Sequence, residues 1–108
     1  MPIELVKLKN LQTLDLGDNR IGGTIHTEIH YLDHLRKLDL SINRFSGTLP
    51  SEIALIKTVN ILNFGLNSFS GRVPPEFHKI RNLKFLSIEN NLMAGNLTLI
   101  NGLKELDK

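Results

Sequence analysis

The sequence predicts an α/β solenoid, a stack of short turns joined by a parallel β-sheet, and three observations support this. Asparagine recurs every 24 residues, at Asn19, Asn43, Asn67 and Asn91. Apolar residues recur in register with it, in columns such as Leu14, Leu38, Leu62 and Leu86. Glycine follows each asparagine four residues later. A fixed period between 20 and 50 residues is typical of repeat architectures, in which each turn packs only against its neighbours.

The 24-residue period divides the 108 residues into repeats of a single domain. We expect the end of a preceding repeat at 1–7, repeats at 8–31, 32–55, 56–79 and 80–99, and the start of a truncated repeat at 100–108. The repeat at 80–99 is four residues shorter than the others. No polar terminal repeat that would cover an open end is recognisable, which predicts a segment of a longer array.

Within the second repeat, alternating residues predict a half-buried strand. Leu38 and Leu40 fall on one side, and Lys37 and Asp39 fall on the other. The same position in the other repeats gives four parallel strands about 4.8 Å apart. Asn43 follows the strand, and its amide can satisfy backbone groups of the turn. We therefore expect the four recurring asparagines to form a structural ladder.

The segment after the glycine predicts a second element on the far side of each repeat. Pro50 fixes φ and lacks an N–H group, which suits the start of a short helical turn, with Ser51 as a candidate cap. Acidic residues recur near this start, where a helix favours them, so we interpret them as structural. Their column is Glu4, Glu28, Glu52 and Glu76.

The repeat resembles the plant-specific class of leucine-rich repeat, whose consensus is L-x-x-L-x-x-L-x-L-x-x-N-x-L-S-G-x-I-P. FSGTLP at 45–50 and FSGRVP at 69–74 carry the match, which extends over essentially the whole chain. His26 and Thr98 replace the consensus proline. The resemblance implies a right-handed superhelix with a concave parallel sheet, short second strands and 3₁₀ or irregular convex segments. It also implies an extracellular or cell-surface setting, as in receptor-like and inhibitor proteins of plants and algae.

Composition narrows the function classes. A net charge of +2, with no dense run of lysine or arginine, predicts no nucleic-acid partner and no polyanion groove. No stretch approaches the roughly 18 apolar residues that span a bilayer, so we expect no membrane insertion by this chain. The first seven residues do not form the apolar core of a signal peptide. The absence of cysteine removes disulfides and thiolate metal sites.

Three histidines at a spacing of four would share one face of a helix, as metal ligands do. However, His26, His30 and His34 fall on the corner and convex connection, where no continuous helix of that length fits, so we interpret them as surface residues. No set of nucleophile, base and acid can be assembled. We predict no metal, no cofactor, no catalytic residue and no enzymatic activity.

The outward strand positions vary between repeats and supply the candidate ligand contacts, namely Lys37, Asp39, Ile61, Asn63, Phe85, Ser87 and Glu89. Ile61 beside Phe85 departs most from the pattern. Such a pair can anchor a protein interface, or it can stabilise the sheet by cross-strand packing, and contact is the favoured interpretation. The stacked acids Asp15 and Asp39 could bind a cationic group of a partner or a metal ion. We favour the alternative that Lys37 and Arg36 neutralise them, since two carboxylates without a third ligand do not make a metal site.

These observations favour a non-catalytic recognition module that binds a protein, a peptide or a glycan through the concave sheet face. The alternative is a structural or assembly subunit, or a spacer, that packs its uncapped ends and convex side onto further repeats or other subunits. Asn96-Leu97-Thr98 is an N-glycosylation acceptor sequence, which makes Asn96 a candidate glycosylation site.

Overall fold

A computed structural model describes residue 1 and residues 3–93 of the chain. A strand, a second short strand and a 3₁₀ helix follow one another in each of the three repeats between 8 and 79, and the described part of the next repeat contains a strand. The elements are η1 (Ile3–Lys7), β1 (Thr13–Asp15), β2 (Gly22–Gly23), η2 (Thr27–Tyr31), β3 (Lys37–Asp39), β4 (Arg44–Thr48), η3 (Ser51–Leu55), β5 (Ile61–Asn63), β6 (Ser68–Ser70), η4 (Pro75–Lys79) and β7 (Phe85–Ser87).

Two parallel sheets run along the stack. The first has the order β1-β3-β5-β7, and the second has the order β2-β4-β6. In the first sheet each residue pairs with the residue 24 positions later, as Leu14 does with Leu38. The predicted solenoid with a parallel sheet and short second strands is therefore confirmed. Residues 94–108, which include Asn96 and the predicted truncated repeat, lie outside the described residues.

The apolar columns form a continuous core between the sheet and the 3₁₀ helices. Leu38, Leu40 and Leu62 have no exposed surface. Phe69 joins two turns, since its ring stacks on Phe45 at 6.0 Å and meets Phe64 edge-on at 5.7 Å. Burial of each such side chain stabilises the fold by about 1.5–3 kcal/mol, and each repeat adds another layer of them.

The glycine column forms a tight corner between turns. Gly47 has a φ of 80°, and a β-carbon there would lie 2.9 Å from the Thr24 methyl group of the preceding turn. Gly71 has the same relation to Thr48, at 3.0 Å. Both the backbone angle and the contact exclude larger residues, so glycine sets the approach of adjacent turns at this corner.

The 3₁₀ helices start differently from the prediction. Pro50, not Ser51, is the capping residue of η3, and no side chain caps that helix. The first bond runs from the Ile53 N–H to the Pro50 carbonyl, at 3.2 Å. Ser51 is already the first helical residue, so its hydroxyl is one position too late to act as a cap. The predicted capping role of Ser51 is wrong.

Candidate recognition face

The asparagine after each strand connects two turns. Asn43 Nδ2 donates to the carbonyls of Leu40 and Ser41 in its own turn and to the Leu16 carbonyl of the preceding turn, the last at 2.8 Å. Its Oδ1 accepts from the Ile21 N–H of the preceding turn, at 2.9 Å. The Asn43 side chain therefore satisfies backbone groups that the strands leave unpaired.

The same bonds recur in the next two turns. Asn67 donates to the Leu40 carbonyl at 2.8 Å and accepts from the Phe45 N–H at 3.0 Å. Asn91 donates to the Phe64 carbonyl at 2.8 Å and accepts from the Phe69 N–H at 2.9 Å. These side chains hold the C-terminal ends of the concave strands in a fixed register.

The residue before each asparagine has a left-handed backbone. Asp18, Ile42, Leu66 and Asn90 have φ values of 59°, 55°, 56° and 58°. Aspartate and asparagine adopt this conformation readily, whereas a β-branched isoleucine is an outlier. The penalty is about 1–2 kcal/mol. The side chains of Ile42 and Leu66 are nevertheless 46% and 51% exposed, so burial does not offset that penalty.

Ile42 and Leu66 line a shallow groove of about 200 Å³ beyond the C-terminal ends of β3, β5 and β7. The floor includes Gly65, where a β-carbon would lie 3.2 Å from the Ser87 hydroxyl. Glycine therefore keeps this part of the groove open. The remaining lining residues are Ser41, Asn63, Ser87, Glu89 and Asn90, of which Glu89 is the one formally charged.

Ile61 and Phe85 lie beside each other on the outward face of the sheet. They are register partners in β5 and β7, and Lys37 of β3 pairs with Ile61 on the other side. Phe85 is 43% exposed, whereas Ile61 is half-buried. The outward face of the sheet therefore carries an apolar patch, formed by Ile61 and Phe85, beside the charged Lys37 of β3.

The stacked acids Asp15 and Asp39 are neutralised in part as predicted. They are register partners, and Lys37 Nζ lies 3.6 Å from Asp15 Oδ2. Asp39 Oδ1 instead accepts hydrogen bonds from the N–H and hydroxyl of Ser41, at 3.0 and 2.6 Å. Arg36 forms no ion pair within the described part, so its predicted role is wrong.

The histidines have separate partners. His26 Nε2 lies 2.8 Å from the Met1 carbonyl, His30 Nδ1 lies 2.8 Å from the Thr27 carbonyl, and His34 faces Asp33 at 3.8 Å. Within the described residues no group of three or more histidine, cysteine, aspartate or glutamate side chains could hold a metal ion. No helix in this part is long and apolar enough to cross a membrane.

The structure brings the seven predicted contact residues onto one face. Six lie in β3, β5 and β7, and Glu89 lies two residues beyond β7. Ile42 and Leu66, which are not among the seven predicted contacts, also lie on this surface. Their column flanks the outward positions, and Asp18 and Asn90 at the equivalent positions are the residue types that a left-handed backbone favours.

Comparison with known proteins agrees with this geometry. The Leucine Rich Repeat family matches residues 10–32 and 34–55. A chain in the crystal structure of the BIR3–SERK2 complex from Arabidopsis thaliana is 34% identical and superposes with a TM-score of 0.85. The ectodomain of the Arabidopsis thaliana receptor kinase GASSHO1/SCHENGEN3, in complex with CASPARIAN STRIP INTEGRITY FACTOR 2, is 31% identical with a TM-score of 0.90. The chain is a plant-type leucine-rich-repeat protein.

A third similar structure is that of the Arabidopsis receptor kinase HAESA in complex with the peptide hormone IDA and the co-receptor SERK1. The matching chain is 36% identical to this one and superposes with a TM-score of 0.84. The first and third matches cover 88% of this leucine-rich-repeat chain, and the second covers 97%. The chain spans only 51%, 13% and 16% of those three proteins, in the order given. No curated protein sequence matches it.

Proposed function

We propose that the concave face binds an extended peptide or an exposed segment of a partner protein. The observation that carries the proposal is the exposed Phe85 beside Ile61, on a face whose other outward residues are largely polar. Aromatic side chains at the centre of a surface patch often dominate the binding free energy of protein interfaces. The neighbouring structures named above contain a peptide hormone or a partner protein, which supports this class of ligand.

The groove beside Ile42 and Leu66 extends this surface toward the strand ends. An apolar side chain of the ligand would pack between Ile42 and Leu66, while Asn63, Ser87 and Glu89 offer acceptors for ligand N–H groups. The Glu89 carboxylate favours a ligand that places a basic group there. Because the ladder fixes the strands beforehand, binding would lose little entropy from ordering the protein.

A peptide library supplies the test of this proposal. A displayed library of linear peptides is selected on the full chain, and the affinity of the selected peptides is then measured for variants. Phe85→Ala is expected to weaken binding by about 2 kcal/mol, which corresponds to roughly 30-fold in Kd. The matched control is Leu55→Ala, which removes an apolar side chain that is 58% exposed in η3, away from the sheet. The control should leave the affinity unchanged.

Thermal unfolding separates ligand contact from sheet stabilisation. A cross-strand pair such as Ile61 and Phe85 contributes about 0.2–1 kcal/mol to a sheet. We expect Phe85→Ala to lower stability within that range while binding falls much further. A loss of stability equal to the loss of binding, or an equal effect of Leu55→Ala, would reject the concave contact.

A further inference from the structure

A second cavity lies beside the C-terminal ends of η3 and η4, away from the outward face of the sheet. It has a volume of about 520 Å³ and is lined by Ala54, Lys57, Lys79, Arg81 and Asn82. Three of these five residues are cations, and none is an acid. The concave surface does not include any of them, so this cavity is independent of the proposed function.

The repeat brings Lys57 and Arg81 together. They are 24 residues apart and therefore occupy the same position in consecutive turns. Asn82 Nδ2 donates to the Lys57 carbonyl at 3.0 Å, which fixes the backbone of one turn against the next. Two like charges held at adjacent turns repel each other unless a counter-charge lies between them.

Among the described residues no carboxylate forms an ion pair with these cations, although Asp33 occupies the position of Lys57 in the preceding turn. The ion pairs in this part of the chain are Lys37 with Asp15 and His34 with Asp33, and neither involves the cations of the cavity. Glu52 and Glu76 line a neighbouring hollow with Lys79 but form no ion pair with it. A cation in the last turn of a helix is favoured by the helix dipole, which accounts for Lys79 at the end of η4. Lys57 and Arg81 lie beyond the helices and are not explained in this way.

We infer that this cavity binds a compact oxyanion that carries two or more negative charges, of the phosphate or sulfate type. Arginine presents a planar fork that matches such groups, and lysine supplies point charges around it. The cavity volume falls within the range of small-molecule sites, so it accommodates an ester larger than a single phosphate. Ala54 is the one apolar residue among those that line the cavity.

The same anion chemistry occurs in a free small molecule and in the headgroup of a phosphorylated lipid, and two probes distinguish them. The full chain is titrated calorimetrically with inorganic tripolyphosphate at low salt. In parallel, its sedimentation with phosphatidylcholine vesicles is measured with and without phosphatidylinositol phosphate. We expect saturable tripolyphosphate binding with one site per chain, and weaker binding at higher salt. Binding to the phosphoinositide vesicles alone would assign the site to a lipid headgroup.

Three variants that each remove one positive charge test whether the anion binds in this cavity. Lys57→Gln and Arg81→Gln are each expected to weaken binding about tenfold, because each removes a charge-assisted hydrogen bond. Lys9→Gln is the control, since Lys9 is exposed, occupies the same repeat position two turns before Lys57 and does not line the cavity. Unchanged melting temperatures establish that the exposed substitutions leave the fold intact. Absence of binding to both probes, or an equal loss in Lys9→Gln, would overturn the site.

Discussion

The first turn and the two turns that follow it share one sequence pattern but differ in how completely they are bonded. Asn19 donates only to the Leu16 and Gly17 carbonyls of its own turn, whereas Asn43 also bonds to the turn before it. Likewise Leu16 is half-buried, while Leu40 at the equivalent position has no exposed surface. The same residue type therefore contributes differently according to its neighbours, as expected where stability is a sum of repeat and interface contributions.

The largest expected effect on stability comes from shortening a core side chain in each of the two turns. Leu40→Ala is expected to lower the free energy of unfolding by about 3–4 kcal/mol, because it leaves a cavity between packed turns. Leu16→Ala should lower it by about half as much, since part of that side chain already contacts solvent. Denaturant unfolding of both variants gives the comparison. Equal losses would show that the two turns are packed alike in solution.

The ladder provides the second test. Asn43→Ala leaves the Ile21 N–H without its partner and removes one of the two hydrogen bonds to the Leu16 carbonyl, which keeps its bond from Asn19. We expect a loss of about 2 kcal/mol. Asn19→Ala breaks only exposed bonds within one turn and should cost less than about 1 kcal/mol. Chemical denaturation again measures both. If Asn19→Ala proved as destabilising as Asn43→Ala, bonds between turns would not be the main contribution of the ladder.

The third prediction has the smallest effect, and here the substitution is expected to raise the stability of the protein. Ile42→Asn replaces a β-branched residue at a φ of 55° with one that tolerates this conformation, and should stabilise the protein by about 1 kcal/mol. Asp18→Asn is the control, because Asp18 already suits its left-handed backbone, and it should change stability little. The melting temperature reports both substitutions.

The same substitution links the strain to function. Ile42→Asn should weaken the peptides selected on the concave face, because it removes one apolar wall of the groove. A strained residue that lowers stability and improves binding is typical of a functional site. Stabilisation without any loss of peptide affinity would remove Ile42 from the proposed surface.

The sequence predicted the features that repetition makes visible. The 24-residue period located the concave strands, and the outward positions Ile61 and Phe85 follow from the alternation within them. Repetition averages over four turns, so a single irregular residue does not hide the pattern. That is why the parallel sheet could be predicted from the sequence without any structure.

Features that depend on one side chain meeting another were missed. The cavity between Lys57 and Arg81 forms from residues far apart in the chain, so the absence of a basic run gave no indication of it. The neutralisation of the stacked acids was assigned to Lys37 and Arg36, but Arg36 forms no ion pair in the described part, and Asp39 accepts a hydrogen bond from the Ser41 hydroxyl of its own turn. Ile42 was not among the predicted contacts, because an isoleucine gives no indication of the left-handed backbone conformation that it adopts.

The hydrogen bonds that the asparagine ladder makes between turns all have the same direction along the chain. Asn43, Asn67 and Asn91 each donate to, and accept from, the turn that precedes them. Each turn-to-turn contact is therefore head-to-tail, and it never joins two identical surfaces. A tandem duplication of one 24-residue unit would reproduce every donor and acceptor at the new junction. An array of this kind can gain or lose whole turns in evolution while its local chemistry stays the same.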